Sequence, residues 1–229
     1  FFQAEDGIRD SVASRGRGDV YKRQDMLLTL YLIGITAEAM TGALAAGRLR
    51  MDLFGGVMVA CVTAMGGGSM RDVLLGHYPL VWVVHPEYLG LTAVAALVTT
   101  WVAPLMQRLR MLFLVLDALG LMVFTVIGVK VAQGMELGAP VAVLAGLITG
   151  IFGGVIRDLL CNRMPLVFQK ELYAVISLGA ACLYLLLQLT PLGETVITLV
   201  TLASGFLVRM LAIRYEWHLP RFKYNVPEQ

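Results

Sequence analysis

Seven apolar stretches divide the chain from Met26 onward, separated by short runs of glycine, proline and charge. They fall at about 27–47, 53–75, 87–104, 111–132, 139–161, 171–189 and 194–214. Each approaches the roughly 20 apolar residues that an α-helix needs to cross a hydrocarbon core of about 30 Å. The pattern predicts an all-α, polytopic membrane protein whose connections leave almost nothing for a domain outside the bilayer. Composition agrees: 58% of residues are hydrophobic and 15% charged, with mean hydropathy +0.76. Soluble domains run about 45–50% apolar and about 25% charged.

Charge is unevenly placed. Of 18 basic and 16 acidic residues, nine lie in the first 24 positions. That segment, FFQAEDGIRDSVASRGRGDVYKRQ, has no apolar h-region, so it does not read as a secretory signal. Its words QAEDGIRD and GDVYKRQ resemble translated sequencing-adapter read-through. Residues 1–25 are therefore read as a disordered, non-native leader, with Met26 as the expected start. Elsewhere, one set of span ends collects Arg48, Arg50, Arg108, Arg110, Arg157, Arg163, Lys170, Arg214, Arg221 and Lys223, and the other only Arg71 and Lys130. Basic residues mark the cytoplasmic side. The native N-terminus is therefore expected outside and the C-terminus in the cytoplasm. A net charge of +2 without a basic patch gives no case for nucleic acid.

The chain repeats itself. A shift of 86 residues superposes Gly34 on Gly120, Gly42 on Gly128, Thr63 on Thr149, Gly67 on Gly153, Gly68 on Gly154, Arg71 on Arg157, Asp72 on Asp158 and Pro79 on Pro165. One register held over so long a stretch is a duplication. Each copy has three spans, and an odd number makes the second copy enter from the opposite side. The expected organisation is a first repeat at 26–110, an inverted second repeat at 111–192, and a seventh helix with its tail at 193–229.

Chemistry has few places to reside. The glycine runs Gly66-Gly67-Gly68 and Gly153-Gly154 fall inside the second and fifth spans, where glycine weakens a helix by about 1 kcal/mol relative to alanine. Paired breaks, one per inverted repeat, would point to a permeation site. The same glycines could instead only permit close helix packing. Arg71-Asp72 and Arg157-Asp158 follow them, and adjacent side chains do not face each other on a helix. Arginine and aspartate are thus expected to serve different partners, the arginine tuning a pathway mouth or anchoring at headgroups. Glu38, near the bilayer midplane, is a functional candidate by default, or else a protonated core residue. Asp117 lies more shallowly, on a pathway or paired with Arg110, Arg108 or a lipid headgroup. Cys61, Cys161 and Cys182 read as buried small hydrophobes, and His77, His85 and His218 are scattered. No hydrolase or nucleotide-binding motif occurs, so an enzyme is not expected.

The two Gly-Gly-x-x-Arg-Asp elements, each with a proline seven residues after the aspartate, resemble prokaryotic relatives of trimeric intracellular cation (TRIC) channels, a repeat also known as the glycine transporter domain. The resemblance spans residues 26 to about 222. It implies a homotrimer of seven-span protomers in membrane lipid, each with an hourglass pathway between kinked second and fifth helices and spans one and four. The pore role then falls on Gly66, Gly67, Gly68, Arg71, Asp72, Gly153, Gly154, Arg157 and Asp158. No cofactor or resident metal is implied, only a transient monovalent cation or, alternatively, glycine. A structural protein without transport is a distant third reading. The Lys-Glu-Val element of animal members is replaced by Ser69-Met70 and Val155-Ile156, so their phosphoinositide gating does not carry over. The family pattern Asp-x-x-Gly-x-x-x-Phe-x-x-x-Gly is met by Asp117, Gly120, Phe124 and Gly128. The first copy has Tyr31, Gly34, Glu38 and Gly42, so the halves are electrically unlike.

Overall fold

The computed structural model describes residues 3–105, 109–169 and 172–217, with side chains from Asp25 onward except Gln169. In chain order the helices are α1 (Gln3–Arg48), α2 (Leu53–Leu75), α3 (Val81–Val84), α4 (Glu87–Val102), α5 (Leu109–Gly134), α6 (Ala139–Leu160), α7 (Leu166–Gln169), α8 (Leu172–Leu187) and α9 (Glu194–Arg214). A short 3₁₀ turn at Ala103–Leu105 extends α4. No strand occurs among the described residues. Among the described residues six helices are long and apolar enough to cross a membrane, and α8, with 16 described residues, is a shorter apolar helix.

Local signals explain the ends. Asp52 caps α2, its carboxylate accepting from Gly55 N at 2.7 Å, and Gly76 closes the helix with φ +68°. Pro140 opens α6, where a missing N–H leaves nothing unpaired. Residues 3–24 are helical and continuous with the first span. Once a helix is nucleated, each added residue gains a bond, and no proline interrupts the segment. Only Asp25–Arg48 has the hydropathy of a span.

The duplication is visible in the elements. Moved by 86 positions, 53–75 becomes 139–161, against the observed Ala139–Leu160, and 81–84 becomes 167–170, against Leu166–Gln169. The centre of the bundle is α1, α2, α5 and α6. There α5 packs on α6, α1 on α2, α2 on α6 and α1 on α5. Outside them, α4 leans on α1 and α2 while α8 leans on α6 and α5, and α9 covers α8 and α5. The surface is apolar, with Phe54, Trp101 and Leu189 largely exposed. The interior holds Glu38, Arg71, Asp72, Asp117, Arg157 and Asp158. Apolar outside and ionic inside suits a hydrocarbon solvent. Of the cysteines only Cys161 is buried; Cys182 lies on the outer face of α8.

Candidate functional site

The glycine runs leave both helices unbroken, correcting the expectation of freed backbone. What they permit is contact. A Cβ on Gly67 would overlap the carbonyl oxygen of Thr149, and one on Gly153 would fall 2.5 Å from that of Thr63. The two contacts exchange under the 86-residue shift, so α2 and α6 cross backbone to backbone about the pseudo-twofold axis. A second exchanged pair braces the crossing. Gly42 of α1 lies against Ala60 and Thr63, and Gly128 of α5 against Gly146 and Thr149. Gly66 contributes differently: its missing side chain accommodates Ile156.

On the Arg48 side of the crossing sits an ionic cluster sealed by protein. The Arg157 guanidinium, with no exposed surface, donates from Nη1 to Asp117 Oδ1 at 2.8 Å and to Thr41 Oγ1 at 3.1 Å. Its Nε donates to Asp158 Oδ1 at 2.9 Å, and Glu38 Oε2 lies 3.9 Å from Nη1. Thr41 also donates to Glu38 Oε2 at 3.0 Å, and Phe113 lies under the guanidinium, 4.7 Å from ring centroid to Cζ. Three carboxyl groups thus face one guanidinium. Asp117 Oδ2 and Arg157 Nη2 have no protein partner. Asp158 reaches a cavity of about 230 Å³ that Arg48 and Arg163 also line.

The equivalent place around Arg71 is built otherwise. Arg71 donates from Nε and Nη2 to Asp72 Oδ1 at 2.9 and 2.7 Å, and His77 Nδ1 lies 3.0 Å from the same oxygen. The positions matching Asp117, Glu38, Thr41 and Phe113 are Tyr31, Phe124, Ile127 and Leu27. All four line a cavity of about 420 Å³, together with Arg71, Asp72, Gly68 and Lys130. Lys130 is paired with Glu194 at 2.6 Å. The cavity is framed by the start of the first span within α1 (Leu27 to Tyr31) and the later turns of α2 and α5, hence at the end opposite Arg48. Two recesses therefore approach the α2–α6 crossing from opposite ends.

Of the residues singled out from sequence, Glu38, Asp117, Arg157 and Asp158 form one cluster. Gly68, Arg71 and Asp72 line the larger cavity, while Gly67 and Gly153 make the crossing. Gly154 lies beside Arg157 and Tyr173. Three expectations are corrected. Each arginine binds the aspartate next to it: the long side chain folds back although the Cβ atoms diverge. Asp117 pairs with Arg157, not with Arg110; Arg108 lies outside the described residues, as do Lys170, Arg221 and Lys223. Arg157 and Arg71 are buried, so neither anchors at headgroups. Sequence reasoning overlooked Arg209, buried within α9. The rule that singled out Glu38, an ionisable residue inside an apolar span, would have found it.

An inverted duplication of membrane helices that buries ionic groups at a two-helix crossing defines a multi-pass transport protein of the channel type. The family model described as "Glycine transporter" matches residues 28–104 and again 114–189. The chain belongs to that family. It is 38% identical over 197 residues to the UPF0126 inner membrane protein YadS of Escherichia coli, covering 84% of this chain and 94% of that one. A UPF0126 membrane protein of Vibrio cholerae is 37% identical, covering 84% of this chain and 82% of the relative. Among solved structures, the TRIC trimeric intracellular cation channel orthologue from Rhodobacter sphaeroides superposes with TM-score 0.80 at 32% identity, over 84% of this chain and 99% of that one. A prokaryotic TRIC channel in 0.5 M KCl gives TM-score 0.79 at 31% identity, over 86% and 100%.

Proposed function

We propose that the protein conducts monovalent cations across a bacterial inner membrane, through each protomer of a homotrimer embedded in lipid. The observation that carries this reading is the excess of buried carboxylate: Glu38, Asp117 and Asp158 around the single guanidinium of Arg157. Fixed negative charge in a poorly screened interior lowers the energy of a passing cation. The route runs from the cavity at Arg71 and Asp72, past the Gly67–Gly153 crossing, to the cluster and out by Asp158. The crossing is closed here, so conduction requires α2 and α6 to part. The relatives described as TRIC cation channels support the choice of cation. Of the ten basic residues assigned to one side, Arg157 lies in the interior, while the described residues Arg48, Arg50, Arg110, Arg163 and Arg214 lie at or beside helix ends, which supports that assignment. The reading therefore places the start of the first span outside and the C-terminus in the cytoplasm.

A second reading is uptake of glycine. It rests on the family description and on the Arg71–Asp72 pair in a cavity of about 420 Å³, which offers a guanidinium to a carboxylate and a carboxylate to an ammonium. Purified protein in liposomes, assayed in parallel for potassium flux and labelled glycine uptake, tests both. Potassium conductance reduced by Glu38→Gln is the expected result. Saturable glycine uptake without conductance would replace the channel by the carrier.

A further inference from the structure

The last span carries a buried cation that neither copy of the repeat accounts for. Arg209 of α9 is 2% exposed, and its Nε and Nη2 have no protein partner. Its guanidinium sits over the Tyr173 ring, 4.6 Å from the centroid. Stacking uses the face of the guanidinium and leaves its in-plane N–H edge available. Beside it lies a cavity of about 770 Å³, with Arg110, Arg214, Glu216 and Trp217 among its lining residues and apolar walls that include Leu114 and Leu172. Arg110, Arg214 and Trp217 are exposed, so the cavity leads from the end of the bundle inward to Arg209.

An unpaired arginine at membrane depth is costly unless something meets its charge. Among the described residues lining the cavity, three guanidiniums outnumber one carboxylate, Glu216. The arginine fork matches phosphate oxygens two at a time. Apolar walls next to such a fork suit a ligand with a charged head and a hydrocarbon body, and Trp217 marks the level where headgroups lie. We propose that this cavity binds a phosphate group carried by an anionic membrane lipid. The phosphate oxygens engage Arg209, Arg110 and Arg214 flank the headgroup, and an acyl chain lies along Leu114 and Leu172. The Tyr173 hydroxyl, at the other end of the ring that holds Arg209, lies beside Gly154 and near Arg157. The lipid site is therefore one side chain from the ionic cluster, though its existence does not depend on what the protein transports.

The test uses the full-length protein in micelles, exposed separately to phosphatidylglycerol, phosphatidylcholine and inorganic phosphate, with bound lipid read by native mass spectrometry. The wild type should retain phosphatidylglycerol roughly tenfold better than phosphatidylcholine, the scale of a charge-assisted bidentate contact. Arg209→Gln should abolish the preference, and Arg209→Lys should keep part of it, because the charge remains without the fork. Should Arg209→Gln fail to fold, the exposed pair Arg110→Gln with Arg214→Gln gives the same readout. Equal retention of the two lipids by the wild type, or a preference untouched in these variants, overturns the proposal. Displacement of phosphatidylglycerol by equimolar inorganic phosphate would overturn the lipid as source and assign the site to soluble phosphate.

Discussion

The two copies of the repeat share a backbone plan and differ in what surrounds their arginine. Arg157 is enclosed by Asp117, Asp158, Glu38 and Thr41, all within 3.9 Å of its nitrogens. Arg71 keeps Asp72, but Tyr31, Phe124 and Ile127 occupy the places of Asp117, Glu38 and Thr41, and a cavity opens among them. Gene duplication with inversion supplies two equal half-sites; three substitutions make one a sealed, acid-rich cluster and the other a vestibule. Glycine spacing determines where the helices touch, while the few ionisable residues determine which end is closed.

The largest effect should come from the axis that both copies share. Gly67→Leu or Gly153→Leu drives a side chain into a facing backbone carbonyl that no rotamer change can move. Overpacking typically costs about 1–3 kcal/mol, and backbone overlap belongs at or above the upper end. Neither variant is expected to give stable protein, whereas Gly68→Ala, which would meet Arg71 Nη2 at an ordinary 3.8 Å, should melt near the wild type. Thermal unfolding in detergent checks this. Recovery of stable Gly67→Leu would mean that α2 and α6 are not in backbone contact.

Next comes the contrast between the two arginines. Arg157→Gln leaves three buried carboxylates facing each other, and removing one partner of a buried ion pair costs about 3–5 kcal/mol. Arg71→Gln strands one carboxylate, which still has His77 and borders a cavity; a hydrogen bond to a charged group is worth about 1.5–3 kcal/mol. Denaturation midpoints of the two variants should therefore differ clearly, with Arg157→Gln the weaker. Equal losses would show that the two half-sites are energetically alike.

Much of this was legible in the sequence, for reasons that also mark where legibility ended. Span positions follow from hydropathy, and the 86-residue register is preserved in the helix bounds and in the exchanged contacts Gly67–Thr149 and Gly153–Thr63. What a glycine in a span does was not legible: the same residue can loosen its own helix or admit a neighbour, and only the position of Thr149 relative to Gly67 decides. The Arg–Asp pairing was misjudged because the helical spacing rule concerns Cβ directions, not the reach of a guanidinium. Asp117 and Glu38 were each visible, yet nothing local links them to Arg157, 40 and 119 positions further along the chain.

A smaller effect is expected at Glu38. Arg157 retains Asp117 and Asp158 when Glu38 becomes glutamine, and one like charge leaves a crowded site. Glu38→Gln should therefore unfold within about 1 kcal/mol of the wild type, on either side of it. Potassium flux in liposomes should fall about tenfold, as expected if the lost charge contributed about 1.4 kcal/mol to the passing ion, within the range for unit charges a few ångströms apart near a protein surface. Unchanged flux with unchanged stability would place Glu38 off the route.

The smallest effect, and the most direct examination of the asymmetry, is to make the first half-site resemble the second. Tyr31→Asp with Phe124→Glu restores around Arg71 the two carboxylates that surround Arg157. Both positions border the cavity, where water can reach new charges, and Arg71 is there to receive them, so the loss of stability should be modest. Filling the vestibule with negative charge should raise the local cation concentration at the end opposite Arg48. At an effective dielectric constant between about 20 and 80, each carboxylate about 4 Å from an ion contributes about 1–4 kcal/mol before screening by salt and by Arg71, which leaves a few-fold change in flux. Reversal potentials in asymmetric potassium chloride should move toward the potassium value, with conductance rising at low salt and converging on the wild type at high salt. If the double variant folds and selectivity does not move, the vestibule's charge is irrelevant to permeation, and discrimination belongs to the Arg157 cluster alone.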